Sequence, residues 1–203
     1  MNSIPEHIDL IPLVPLMITG GTAILLMLLI AVRRMHLVSM IISLVALVVT
    51  FISMTLYLPE TNSQGQGLLL MDRYTLFFMG LLVMAAFVVT ALSYDYLKMN
   101  EEKYEEYYIL IFLALLGAGI LVASQHFATL FLGFELLSVS LYVMIAYLRN
   151  RGKCIEAGAK YLILAAVSSA FLLFGMSLVY ASSGTMHLNE LSAHLNGLST
   201  LPL

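Results

Sequence analysis

Residues 127–148, FATLFLGFELLSVSLYVMIAYL, form an apolar run with a single formal charge, Glu135. A helix needs ~20 such residues to cross a bilayer, so this run reads as a transmembrane span. At ~1.5 Å of rise per residue, the Glu135 carboxyl lies ~12 Å from one end of the helix and ~20 Å from the other. Placing a charged side chain near a bilayer centre costs roughly 2.5–3.5 kcal/mol on insertion scales. Something has to offset that cost, and a proton or ion pathway is the usual reason.

The rest of the chain has the same character. Of its 203 residues, 61% are hydrophobic and 10% charged. Soluble domains carry about 25% charged residues, so the composition is that of an integral membrane protein. The formal net charge is −3 and there is no basic block, which gives nucleic acid no electrostatic footing. Cys154 is the single cysteine, and no Cys/His spacing suggests a zinc, haem or iron–sulfur site. No bound metal or cofactor is therefore expected in the chain. The first apolar run has no Lys or Arg before it and no small-residue cleavage site, so it reads as a retained helix.

Hydropathy predicts an all-α polytopic bundle of about six transmembrane helices over residues 1–181. The expected spans are about 10–32, 37–58, 74–97, 107–124, 127–148 and 157–181. Between them stand Arg33-Arg34, the polar stretch PETNSQGQG at 59–67, the block KMNEEKYEE at 98–106, the tight turn Ser124-Gln125-His126 and RNRGK at 149–153. The stretch 182–203 is polar-interrupted, a surface segment or an unfinished approach to a seventh helix. Arg33, Arg34, Lys98, Lys103, Arg149, Arg151 and Lys153 fall after spans one, three and five, against Arg73 alone on the other side. The positive-inside rule then puts the odd loops in the cytoplasm and both termini outside.

Within span five, Glu135, Ser138 and Tyr142 are spaced i, i+3 and i+7, so they share one helical face that can hydrate or hydrogen-bond a carboxyl. Gly133 permits close approach of a neighbouring helix. The functional reading is a proton-carrying relay site; the structural alternative is a neutral carboxyl hydrogen-bonded between helices. Lys160 is the one basic residue that enters a span. Its plain reading is snorkelling, with the ammonium reaching back to the interface. Glu135 and Lys160 fall at different depths, which favours coupling through water over a direct salt bridge. Ala165 and Ser169, four apart, read as a small-residue packing pair. His36 and His126 read as hydrated imidazoles at the interfaces, and the thirteen Met as lipid-facing or core filler.

FLGFELLSVSLYVMIAYLR (131–149) followed by EAGAKYLILAAVSSAFLLFGMSLVY (156–180) resembles the subunit N family of proton-translocating NADH:quinone oxidoreductase, respiratory complex I. The likeness extends back through MDRYTLFF (71–78) and EEYYILIFLALLGAGILVAS (105–124). The related L and M subunits and the Mrp-type cation/proton antiporters typically place Trp before the intramembrane Glu, where this chain has Phe134.

The resemblance implies that Glu135 matches the family's essential carboxylate and Lys160 a lysine of its proton path. It also implies a membrane-arm role in proton translocation in a bacterial inner membrane, beside the other membrane-arm subunits. FMN, iron–sulfur clusters and quinone would then belong to the complex rather than to this chain. Family members continue through a broken seventh helix, so the chain is expected to correspond to the N-terminal part of that fold, truncated before a seventh helix. The alternatives are a subunit of an Mrp-type antiporter and a membrane fragment that translocates nothing.

Overall fold

A computed structural model describes residues 11–56, 67–100, 105–148 and 152–191. In it the described chain is a bundle of six long helices: α1 (Val14–Val32), α2 (His36–Leu56), α3 (Arg73–Asn100), α4 (Glu106–Ala123), α5 (Phe127–Ile145) and α6 (Gly152–Ser183). Each is long and apolar enough to cross a membrane. Helices dominate because hydrocarbon offers no partner for a backbone N–H or C=O, so each span must satisfy its own. The side-chain hydroxyls follow the same rule. Thr19 donates to the Leu16 carbonyl, Ser43 to Ser39, Thr50 to Ala46 and Ser140 to Leu136.

Helix ends depart from the hydropathy boundaries where charge and helix propensity compete. Lys98 sits in the last turn of α3 rather than in a loop, and α6 begins at Gly152, so Lys153 and Glu156 are helical. Polar residues lower hydropathy without stopping a helix that runs past the hydrocarbon. Asp72 caps α3, its Oδ1 accepting from the Thr75 N–H at 2.7 Å, and His126 caps α5, its Nδ1 accepting from the Ala128 N–H at 3.1 Å. Parts of the loops at 59–67, 98–106 and 149–153, and of the segment after 182, lie outside the described residues.

The turn Ser124-Gln125-His126 is extended and serves as the middle of a three-segment clasp. Leu70 N–H donates to the Ala123 carbonyl (2.7 Å) and Gln125 N–H to Leu68 (3.0 Å). On the other edge, Phe127 N–H donates to Met186 (3.1 Å) and Leu188 N–H to Gln125 (3.0 Å). The chain before α3, the α4–α5 link and the chain after α6 are thereby joined at one end of the bundle.

α4 is the central helix, packed against α1, α3 and α5. Tyr108 and Phe112 on α4 are fully buried with Leu26 of α1 and Leu47 of α2. Its contact with α5 is backbone on backbone. A Cβ at Gly117 would lie 2.6 Å from the Leu137 nitrogen, and one at Gly133 2.8 Å from the Leu121 nitrogen. Only glycine on both helices permits that approach, the membrane device of small residues at a crossing.

Replacing Gly133 with Val should therefore push α4 and α5 apart and cost about 1–3 kcal/mol, the usual scale of overpacking. At Gly21 an added Cβ would meet nothing within 4 Å, so Gly21→Ala is the matched control. Thermal unfolding in detergent, followed by circular dichroism, should show a clear loss for Gly133→Val and almost none for Gly21→Ala.

Candidate functional site

The rotation of α5 follows from the glycine crossing. Residues advance 100° per step around a helix, so a side chain two positions past Gly133 points ~200° away from it. Gly133 faces α4, as does fully buried Ser140 seven residues on. Glu135 therefore faces away from α4, on the side where α6 packs. Tyr142 and Ala146 return to that side at i+7 and i+11. Both meet α6 at Gly158, where a Cβ would lie 2.6 Å from the Ala146 Cβ and 3.2 Å from the Tyr142 carbonyl oxygen.

α6 meets α5 along one narrow stripe. Gly158, Tyr161, Ala165, Ser169, Leu172, Met176, Val179 and Ser183 are buried or half-buried, and most positions between them are exposed. Their spacing alternates between three and four residues, the pattern of a near-parallel helix seam. Ser169 lies on this stripe, and its hydroxyl donates a hydrogen bond to Oε1 of Glu135. Ser169 is 8% exposed and Glu135 half-buried. Ser138, one turn beyond Glu135, is 7% exposed. The site is thus a carboxyl held between two helices by a hydroxyl, beside a buried serine.

Lys160 stands elsewhere. It is nine residues before Ser169, which places it ~180° around α6 and ~13 Å along it. Its ammonium pairs with Glu156 one turn earlier on the same helix (2.5 Å), and both side chains are more than 60% exposed. The structure brings Glu135 to Ser169 and Tyr142 to Gly158; it does not bring Lys160 to Glu135. Ser169 was visible in the sequence only as half of a small-residue pair. The stripe from Gly158, at a spacing of three and four, was the signal that α6 turns it toward α5.

The two interfacial histidines are packed rather than merely hydrated. His36, the first residue of α2, stacks on Tyr94 (ring centroids 4.5 Å apart) and lies 5.7 Å from Tyr108. His126 meets His187 edge-on at 4.8 Å within the clasp. Near His36, Arg34 pairs with Glu106 across 3.0 Å. That pair is about half exposed, a setting in which ion pairs contribute ~0–1 kcal/mol. Among the described residues, no three His, Cys, Asp or Glu side chains converge so as to hold a metal ion.

A carboxyl held between two helices of an apolar bundle defines a polytopic membrane subunit with an ionisable group inside one span, and the chain can be compared with known proteins on that basis. The family model described as NADH:quinone oxidoreductase/Mrp antiporter, TM, matches residues 124–201, which include α5 and α6. NADH-quinone oxidoreductase subunit N of Nitrosospira multiformis is 48% identical over 202 residues, covering 96% of this chain and 40% of that protein. The chain belongs to this family of membrane subunits, and it spans about two-fifths of the length of that curated relative.

Among solved structures, it superposes on respiratory complex I from Thermus thermophilus with bound aureothin, with a TM-score of 0.73 and 26% identity. That match covers 86% of this chain and 38% of the other. The membrane-bound sulfane sulfur reductase, an archaeal respiratory membrane complex, shares the fold at a TM-score of 0.78 and 19% identity, covering 91% of this chain and 40% of the other.

The geometry is testable by double-mutant cycles in thermal stability. Ser169→Ala and Glu135→Gln should couple by about 1 kcal/mol, the scale of a buried hydrogen bond. Lys160→Ala and Glu135→Gln should add within about 0.5 kcal/mol, as separated sites do.

Proposed function

We propose that this chain contributes to proton translocation as a membrane-arm subunit of an NADH:quinone oxidoreductase, with Glu135 as its protonatable relay group. The observation that carries the reading is the Glu135 carboxyl, set deep in an apolar span and hydrogen-bonded across the α5–α6 seam to Ser169. Its 48% identity to a subunit N supplies the context. A change of charge elsewhere in an assembly can load or unload a proton on a carboxyl, because charges act on one another through the low-dielectric interior. Ser169 orients the acceptor oxygen, while Ser138 and Tyr142 extend the polar face along α5.

Lys160 would act as a modulating charge. Lying on the far side of α6 from Ser169, it would influence Glu135 through the field or through water rather than by contact. The Glu156 carboxylate, which holds the ammonium now, is the partner it would have to leave.

In this reading the chain holds no redox group of its own. FMN, iron–sulfur clusters and quinone would sit in other subunits, and oxidoreductase activity would belong to the whole assembly. The subunit would be multi-pass in a bacterial inner membrane. The bias of Lys and Arg supports an orientation with the loops after spans one, three and five in the cytoplasm and both ends of the sequence on the periplasmic side. The outer face of α6, with Leu164, Phe171 and Phe174 exposed, would meet lipid and neighbouring helices of the membrane arm. The rest of the proton path would lie in the part of the family fold that these residues do not span.

The second reading, an Mrp-type antiporter subunit, is favoured by one observation: the matching family model covers both kinds of protein. The absence of Trp before Glu135 speaks for the oxidoreductase.

The test uses inverted membrane vesicles containing the chain in its complex. NADH oxidation with an artificial electron acceptor reports assembly, and quenching of a pH-sensitive dye reports pumping. Glu135→Gln should lower pumping by about tenfold or more, the scale of losing one positioned proton-transfer group, with the artificial-acceptor rate unchanged. Lys160→Ala should reduce it less. Intact pumping in both variants would sink the relay, and sodium-dependent exchange without NADH would favour the antiporter.

A further inference from the structure

Between α2 and α3 lies an open groove of about 520 Å³, lined by neither α5 nor α6. Its walls are Phe51 and Met54 of α2 and Phe77, Leu81 and Met84 of α3, with Gly80 as its floor. A Cβ at Gly80 would come no closer than 3.8 Å to Phe51, so glycine here opens space rather than serving a tight crossing. A second groove of about 260 Å³ shares Phe51 and Met84 and extends the channel to Phe87 and Val88. One end of the wider groove is polar: it is lined by Thr55 and by Arg73 at the start of α3.

Arg73 is unusual among the basic residues. It is the one Lys or Arg in the segments that follow spans two and four. Its side chain is exposed, and among the described residues it joins neither of the two ion pairs, Arg34–Glu106 and Lys160–Glu156. Its neighbour Asp72 is engaged, accepting from the Thr75 N–H at 2.7 Å to cap α3. A guanidinium offers five N–H donors suited to phosphate oxygens, and among the described residues no carboxylate is paired with them.

The dimensions fit one leaflet. From Arg73 to Met84 is ~16 Å along α3, and a single leaflet's hydrocarbon is about half of ~30 Å. With Arg73 at head-group level, an acyl chain laid on Gly80 between Phe51 and Phe77 would end near the bilayer midplane. We propose that the α2–α3 groove is a binding site for a diacyl phospholipid with an anionic head group, its phosphate on Arg73 and one acyl chain along Gly80. This site stands apart from the proton relay, and its test does not depend on pumping.

The experiment is lipid retention by the full chain, purified from membranes in mild detergent. The protein is incubated with equal amounts of phosphatidylglycerol and phosphatidylcholine, and bound lipid is counted by native mass spectrometry. A basic side chain near an anionic lipid is worth ~1 kcal/mol, so phosphatidylglycerol should be favoured about fivefold. Arg73→Gln should bring the ratio near one, and Arg73→Lys should keep most of the preference. Gly80→Phe, which fills the groove floor, should remove bound lipid of both kinds; unchanged helicity by circular dichroism certifies each variant as folded. A wild-type ratio near one, a preference that survives Arg73→Gln, or full retention in Gly80→Phe would overturn the proposal. So would cross-linking of a Gly80→Cys variant to a protein helix in place of lipid.

Discussion

The placement of Glu135 depends on how closely α4 and α5 approach. Gly117 and Gly133 bring two backbones together at a distance that no other residue allows, and that contact fixes the rotation of α5 about its own axis. Everything on α5 then has an assigned side. Leu136, Leu137 and Ser140 go with Gly133 toward α4, whereas Glu135, Tyr142 and Ala146 go toward α6. A rotation of one residue, 100°, would take the carboxyl off the α6 seam. The polar site is held by an apolar, side-chain-free contact on the opposite face of the same helix.

α6 completes the site on different terms. It touches the bundle along one stripe and leaves most of its surface uncovered, with Gly158 as the close approach and Ser169 as the polar contact. The same geometry turns Lys160 outward to Glu156. A carboxyl and an ammonium on adjacent helices need not meet; here the hydroxyl meets the carboxyl, and the ammonium pairs within its own helix.

How much was legible in advance differs from residue to residue. The six spans, the all-α class and Glu135 were readable because hydropathy is a local, additive property and one charge in an apolar helix stands out against it. Helix ends were less readable: Lys98 and Lys153 lower hydropathy but belong to helices that run on past the hydrocarbon. The packing of His36 on Tyr94 and Tyr108 was not readable at all, since it joins the starts of α2 and α4 to the C-terminal part of α3. The role of Ser124-Gln125-His126 as the middle of a clasp was equally hidden, because both edges come from distant parts of the chain.

By itself the sequence determined that this is a bundle of about six membrane-crossing helices with a costly carboxyl inside one of them. Transfer from water to hydrocarbon depends on each residue's own chemistry, and that decision needs no knowledge of neighbours. The tertiary structure alone decided what Glu135 faces. Ser169 rather than Lys160 is its partner because the azimuth of a helix is set by its closest backbone contacts, Gly133 against α4 and Gly158 against α5, and those contacts are made between segments far apart in the chain.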